Sequence, residues 1–183
     1  MDVTTLHIAT ESLAEILSEV TQGDLRQPIS PHKRDIGDLY VQLVDQSLAI
    51  ASGLKPGPNS DARCRADTIT RPALDVAANL YGGGYEERYR RTAQLAEDAF
   101  TAVGDEHATY GIDGVTLSAR AWYEKQVIET VLHTWDLARA MGFVYRPPAE
   151  VVFEVLRTQP EPTRDDVESA WDVALRRSGR NPG

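Results

Sequence analysis

Apolar residues recur at three- and four-residue spacing through most of the chain, and this rhythm commits it to a helical fold. Leu6, Ala9, Leu13, Ile16, Leu17 and Val20 draw one stripe along residues 4–20, which Gly23, Pro28 and Pro31 then break. A second helix starts with Asp35 as N-cap, its carboxylate placed to accept a free first-turn N–H. Ile36, Leu39, Tyr40, Leu43 and Ile50 form its core stripe, and it stops near Gly53, ahead of Pro56-Gly57-Pro58-Asn59. Residues 55–84 are the least regular, with a short helix over 72–81 and then the run Gly82-Gly83-Gly84. That run lacks the strand-before, helix-after setting of a phosphate loop and reads as a helix stop. A third long helix turns Tyr85, Tyr89, Thr92, Ala96, Ala99, Phe100 and Val103 inward, and Gly104 to Gly114 reads as a loop. The fourth helix spans 116–141 and ends at Gly142, with Pro147-Pro148 preventing continuation. Two shorter helices follow over 149–157 and 163–177, the second with Thr163 as N-cap. No alternating strand pattern and no internal repeat is visible. The expected architecture is all-α, a four-helix bundle with a short helical C-terminal extension.

A length of 183 residues with 42% hydrophobic content suits one domain over 1–183. The net charge of −9 argues against nucleic acid, because phosphate binding needs a basic surface. No apolar run approaches the ~20 residues needed to cross a bilayer. Met1-Asp2-Val3-Thr4-Thr5 lacks the basic-then-apolar pattern of a signal peptide. Cys64 is the only cysteine, so no intrachain disulfide can form. The expectation is a soluble cytoplasmic protein that works on a small molecule, without a nucleic-acid or membrane partner. Homodimerisation through an exposed helical face stays open.

On the fourth helix one stripe reads Trp122, Gln126, Glu129, His133, Asp136, Ala140, in the four-then-three rhythm of a bundle-facing seam. Glu129 and His133 lie one turn apart on one face, and together make two-thirds of a common divalent-metal site. Burying an ionised Glu without a partner is costly, so a metal, an ion pair with His133 or a wet cavity must compensate. A hydrogen-bonded Glu–His pair satisfies the spacing equally well. Bundle metal sites draw further ligands from facing helices, and the second helix offers Asp38, Gln42 and Asp45. Asp38 and Asp45 read first as a solvated face.

Two segments carry a family resemblance. Asp35-Ile36-Gly37-Asp38-Leu39-Tyr40-Val41-Gln42-Leu43 resembles the second-helix motif of the DinB-like metal proteins, and more closely that of the N-terminal domain of mycothiol-dependent maleylpyruvate isomerase. Glu129-Thr130-Val131-Leu132-His133-Thr134-Trp135-Asp136-Leu137-Ala138-Arg139-Ala140-Met141-Gly142 resembles that family's Glu-x3-His-x-Trp-Asp-Leu-Ala-x-Ala-x-Gly segment. The ending Ser178-Gly179-Arg180-Asn181-Pro182 resembles its closing Gly-Arg-x-Pro.

The resemblance implies a DinB-like four-helix bundle that holds a divalent metal, zinc in the family, through two His and one Glu. It also implies a low-molecular-weight thiol such as mycothiol near the metal, serving isomerisation or S-transfer. By position Glu129 and His133 match two ligands, but Gln42 stands where the family has its helix-two histidine. A carboxamide oxygen is a harder and weaker zinc donor than an imidazole nitrogen. Asp45 or His32 are candidate substitutes, and Gln42 hydrogen-bonded to Glu129 or His133 with no metal is an equal alternative.

Asp136 is placed to orient the second ring nitrogen of His133, to pair with Arg139, or to cap a neighbouring element. Trp122 and Trp135 read as core, His107 as a loop residue, and His7 as exposed. Cys64 has Arg63 and Arg65 beside it but no histidine. Arg88, Arg90 and Arg91 read as a solvated face, or as a clamp for an anionic cofactor. Two functions follow as expectations. The first is a metal-dependent, thiol-linked isomerase or transferase with an altered metal site. The second is a metal-free small-molecule-binding protein or specialised-pathway enzyme, with His133 and Glu129 as acid and base.

Overall fold

The computed structural model describes residues 1–29, 34–54, 64–81, 84–157 and 170–181. Its helices are α1 (Thr4–Ser18), α2 (Ile36–Leu54), α3 (Arg71–Tyr81), α4 (Tyr85–Thr101), α5 (Ala119–Ala140), α6 (Ala149–Arg157) and α7 (Ala170–Arg177). The four long ones close a bundle in which α1 packs on α4 and α5, and α2 packs on the same two from the other side. α6 lies against α5 and α1, and α7 lies against α6, as the C-terminal extension was expected to do. None of the described helices is long and apolar enough to cross a membrane.

The periodic stripes become two apolar clusters. One gathers Leu13, Leu17, Leu39, Tyr40, Leu43, Tyr89 and Leu137; the other gathers Leu6, Ile50, Phe100, Trp122, Val127 and Val131. Each large side chain buried this way stabilises the fold by roughly 1.5–3 kcal/mol relative to exposure. Between cluster members along each helix sits a buried hydroxyl: Thr10, Ser47, Thr92, Thr130 and Thr134. Several of these satisfy themselves on their own helix, Ser47 on the Leu43 carbonyl at 3.0 Å and Thr134 on the Thr130 carbonyl at 2.7 Å. These hydroxyls therefore enter the bundle without an unpaired-donor penalty.

Helix starts follow their caps. Asp35 caps α2, accepting the Asp38 N–H at 2.9 Å, while Asp38 accepts the Asp35 N–H at 3.3 Å. The start of α5 differs from expectation. Ser118 is its N-cap, accepting the Ala121 N–H at 3.2 Å, so the helix begins at Ala119 rather than at 116.

The residues before Ser118 correct the expectation of no strands. β1 (Pro28–Ile29) pairs with β2 (Arg34–Asp35), and β3 (Thr109–Ile112) pairs with β4 (Val115–Ser118), both antiparallel. The second hairpin turns at Asp113-Gly114 with φ of 49° and 78°. Positive φ at both central residues is the two-residue turn that matches strand twist, and Asp-Gly is its usual sequence. The hairpin packs on α2 and on the start of α5. It comes so close that a Cβ on Gly53 would overlap the Ile112 side chain. The expected N-cap Thr163, the Pro56–Asn59 turn, and Gly82 and Gly83 lie outside the described residues.

Candidate functional site

Between α2, α5 and the β3–β4 hairpin lies a cleft of about 520 Å³. Its apolar wall is Val41, Ala49 and Ile50 of α2, Ile112 and Val115 of the hairpin, and Trp122 of α5. The Trp122 indole N–H donates to the Tyr110 carbonyl at 3.0 Å, which locks the ring and ties the hairpin to α5. Its polar wall carries Gln42, Gln46, Lys125 and Glu129, with Asp38, Asp45 and Asp113 around it. That volume suits a small organic ligand.

The α5 stripe arrives as expected: Trp122, Gln126, His133 and Asp136 are buried and Glu129 is half-buried. Its members do different things. Glu129 faces the cleft, where its carboxylate accepts from the Lys125 ammonium one turn back and from the Gln46 carboxamide across the seam. The Gln46 NH2 also donates to the Gln126 Oε1 at 3.0 Å. His133 sits one turn further along α5, at 6% exposure, and is not in the cleft wall. Of the α5 stripe, Glu129 is therefore the acidic group that lines the cleft, and His133 lies outside its wall.

Gln42 is exposed, and its Oε1 accepts from the Arg34 guanidinium. Neither Glu129 nor His133 is its partner. Gln46, one turn further along α2, reaches Glu129 in its place. Asp45 lines the cleft, and burial together with the nearby Asp113 charge pushes its carboxyl above the usual range. Asp38 pairs with Arg71 at 2.8 Å and lies at the rim. His32 lies outside the described residues.

Asp136 neither orients His133 by a hydrogen bond nor pairs with Arg139. Arg180 clamps it from the far end of the chain, Nε to Oδ1 at 2.8 Å and Nη2 to Oδ2 at 2.6 Å. Arg34 stands behind at 3.8 Å. Burial lowers the Arg34 pKa from its ordinary value while the Asp136 charge opposes the shift. The Trp-Asp segment of α5 and the closing Gly-Arg segment, distant in sequence, thus meet as one buried ion pair. Arg139 instead lies over the Trp135 ring at 5.2 Å and donates to the Asn181 carbonyl at 2.8 Å.

The remaining candidates resolve as structural groups. His7 is more than half exposed, and its Nδ1 lies 3.1 Å from the buried Glu97 carboxylate. His107 is exposed in its loop. Cys64 is buried, its thiol directed to the Leu48 carbonyl at 3.8 Å. Arg88 donates to the Asp67 carbonyl, Arg90 pairs with Glu11 and Arg91 pairs with Asp67. Lys125, Gln46 and Arg34 were missed by sequence reasoning, and Arg180 stood out only as part of the closing Gly-Arg-x-Pro motif, with no role attached. Lys125 had a signal, the four-residue spacing to Glu129 that pairs opposite charges on a helix. Gln46 had a weaker one, four residues beyond Gln42 on the same face of α2.

Among the described residues, the groups in place do not fit a divalent metal. An incoming cation at Glu129 would have to displace the Lys125 ammonium and the Gln46 donor. The Gln42 oxygen that would face it already receives a guanidinium. Among the described residues no group of three His, Cys, Asp or Glu side chains is placed to hold a metal ion.

Residues 6–138 match the family model described as mycothiol maleylpyruvate isomerase N-terminal domain. The matched stretch contains nearly all of α1, then α2 to α4, the hairpin and nearly all of α5, with Glu129, His133 and Asp136, and stops short of Arg180. No curated protein and no solved structure matches the chain. With nearly three-quarters of its length matched, the chain belongs to the mycothiol maleylpyruvate isomerase N-terminal domain family.

Proposed function

We propose that this chain is a metal-free small-molecule-binding member of its family, with the α2–α5 cleft as the ligand site. The observation that carries the reading is the occupancy of Glu129: its carboxylate already accepts from a lysine and a glutamine. An ion pair at that position balances the carboxylate charge and removes the need for a cation.

In this reading the apolar wall holds the body of the ligand, and the Gln46–Glu129–Lys125 array fixes its polar end. Glu129 is the group placed to accept a hydrogen bond or a proton from the ligand, and Lys125 balances its charge. His133, one turn further along α5, supplies a further titratable group for proton relay. Low-molecular-weight thiols are the first ligand class to examine, because the matched family is named for mycothiol. The metal-dependent isomerase or S-transferase reading is favoured by that family match alone.

The test is metal content per chain on protein purified without a metal-affinity tag, together with thermal stability in chelator. The expected result is no stoichiometric metal and no change in melting temperature with chelator. Near one metal per chain, lost together with stability in chelator, would overturn the proposal in favour of the metal–thiol enzyme.

A further inference from the structure

A second, separate pocket lies at the other end of α5. It holds about 200 Å³ and is walled by Trp135 and Arg139 of α5, Phe143, Tyr145 and Arg146 of the following segment, and Trp171 of α7. We propose that it is a binding site for a small aromatic carboxylate, independent of the α2–α5 cleft.

The Trp171 indole N–H is the first observation. The side chain is 7% exposed, and its Nε1 is buried with no hydrogen-bond partner among the described residues. An indole nitrogen can only donate. A buried donor left without an acceptor is costly, and native structures rarely tolerate it. The Trp171 side chain itself forms part of the wall of this pocket.

The second observation is charge. Arg139 and Arg146 both line the pocket, against one carboxylate, Asp172, which has partners of its own. Arg146 is exposed, and among the described residues no carboxylate pairs with it. In a chain of net charge −9 this is a locally cationic spot. Both guanidiniums call for the same acceptor chemistry, an anionic oxygen held by charge-assisted hydrogen bonds.

The third observation is the character of the walls. Tyr145 and Trp171 meet edge to face with ring centroids 6.4 Å apart, and Arg139 covers the Trp135 face. Phe143 at the mouth stays 44% exposed, with Val144 beside it almost fully in water. A flat apolar ring would find aromatic partners on several sides and would cover Phe143. The volume falls below the ~300 Å³ at which drug-sized ligand pockets begin, so the occupant is a single ring with its carboxylate.

The experiment uses the full chain labelled with ¹⁵N. Its three tryptophans give three indole N–H signals, assigned by Trp→Phe variants. Benzoate is titrated to millimolar concentrations, the affinity range expected of so small a ligand. The Trp171 signal, with Trp135, should shift saturably, while the Trp122 signal from the α2–α5 cleft stays still. Arg146→Ala, at an exposed position, should weaken binding roughly tenfold by removing one charge-assisted contact. Benzamide, isosteric and neutral, should bind more weakly by a similar factor.

An unmoved Trp171 signal overturns the proposal. So does a shift confined to Trp122, which would place the ligand in the other cleft. Inorganic phosphate producing the same Trp171 shift as benzoate also overturns it, because the aromatic walls would then contribute nothing.

Discussion

Replacing Arg180 with alanine removes the closest partner of Asp136, a carboxylate with no solvent exposure. The pair is bidentate, at 2.6 and 2.8 Å, and Arg180 itself is 8% exposed, so solvent screens it little. Breaking a buried pair by deleting one side costs about 3–5 kcal/mol, because the remaining charge keeps its desolvation penalty. Arg34 at 3.8 Å retains part of the counter-charge, which places the loss near the lower limit, about 3 kcal/mol. For a chain of this size that is a fall in melting temperature of roughly 6–12 °C.

The assay is urea unfolding followed by far-UV circular dichroism, on Arg180→Ala, Asp136→Ala and the double variant. The double should lose clearly less than the sum of the singles, with a coupling of about 2 kcal/mol or more. Moderate salt should leave the difference in place, since the pair is shielded from bulk ions. A loss under about 1 kcal/mol for Arg180→Ala, the range of surface pairs, would refute the reasoning. It would mean that Asp136 is satisfied by Arg34 or by water without its clamp.

Three further outcomes are expected. Glu97 is buried, and burial raises its carboxyl above the ordinary range despite the His7 partner. The native state therefore binds the proton more readily than the unfolded chain, and the stability from this group falls as pH rises through the raised range. Glu97→Gln should raise the melting temperature most at neutral to alkaline pH, with the gap closing below the ordinary carboxylate range; a pH-independent gap would contradict this. Gly53→Ala should drive a methyl into Ile112, at an overpacking cost of about 1–3 kcal/mol that exceeds the ~1 kcal/mol gain in helix propensity. Equilibrium unfolding checks it, and a stabilised variant would show that the hairpin is not pinned on α2. Gln42→His combined with Lys125→Met adds a nitrogen donor and removes the competing ammonium, so the double variant should take up about one zinc per chain. Elemental analysis after dialysis reads it, and an empty double variant would mean that the seam geometry itself rejects a metal.

The legible part of the site was the part confined to one helix. Glu129, His133 and Asp136 share a seam because three- and four-residue spacing fixes the face of an α-helix. Which groups meet them depends on helix rotation and offset, and no local pattern encodes that. Gln42 is close to the seam by spacing, yet the rotation of α2 sends it to Arg34 and delivers Gln46 to Glu129. The hairpin differs in kind, because its signal was local. Asp113-Gly114 lies between Thr109–Ile112 and Val115–Ser118, but strands of four residues carry too little alternation to stand out beside helices of fifteen to twenty-two.

The periodicity alone determined an all-α bundle, because amphipathic stripes of that length can bury their apolar faces only against one another. Caps, glycines and prolines also marked most helix ends, because they act within a turn of their own position, the start of α5 at Ala119 rather than 116 being the exception. The tertiary structure alone decided which residues, far apart in the chain, would share a low-dielectric interior. Asp136 found Arg180 across 44 residues and Glu129 found Gln46 across 83. Burial turned these meetings into the strong terms of the site, because a buried charge must be balanced by whatever group packing brings within reach.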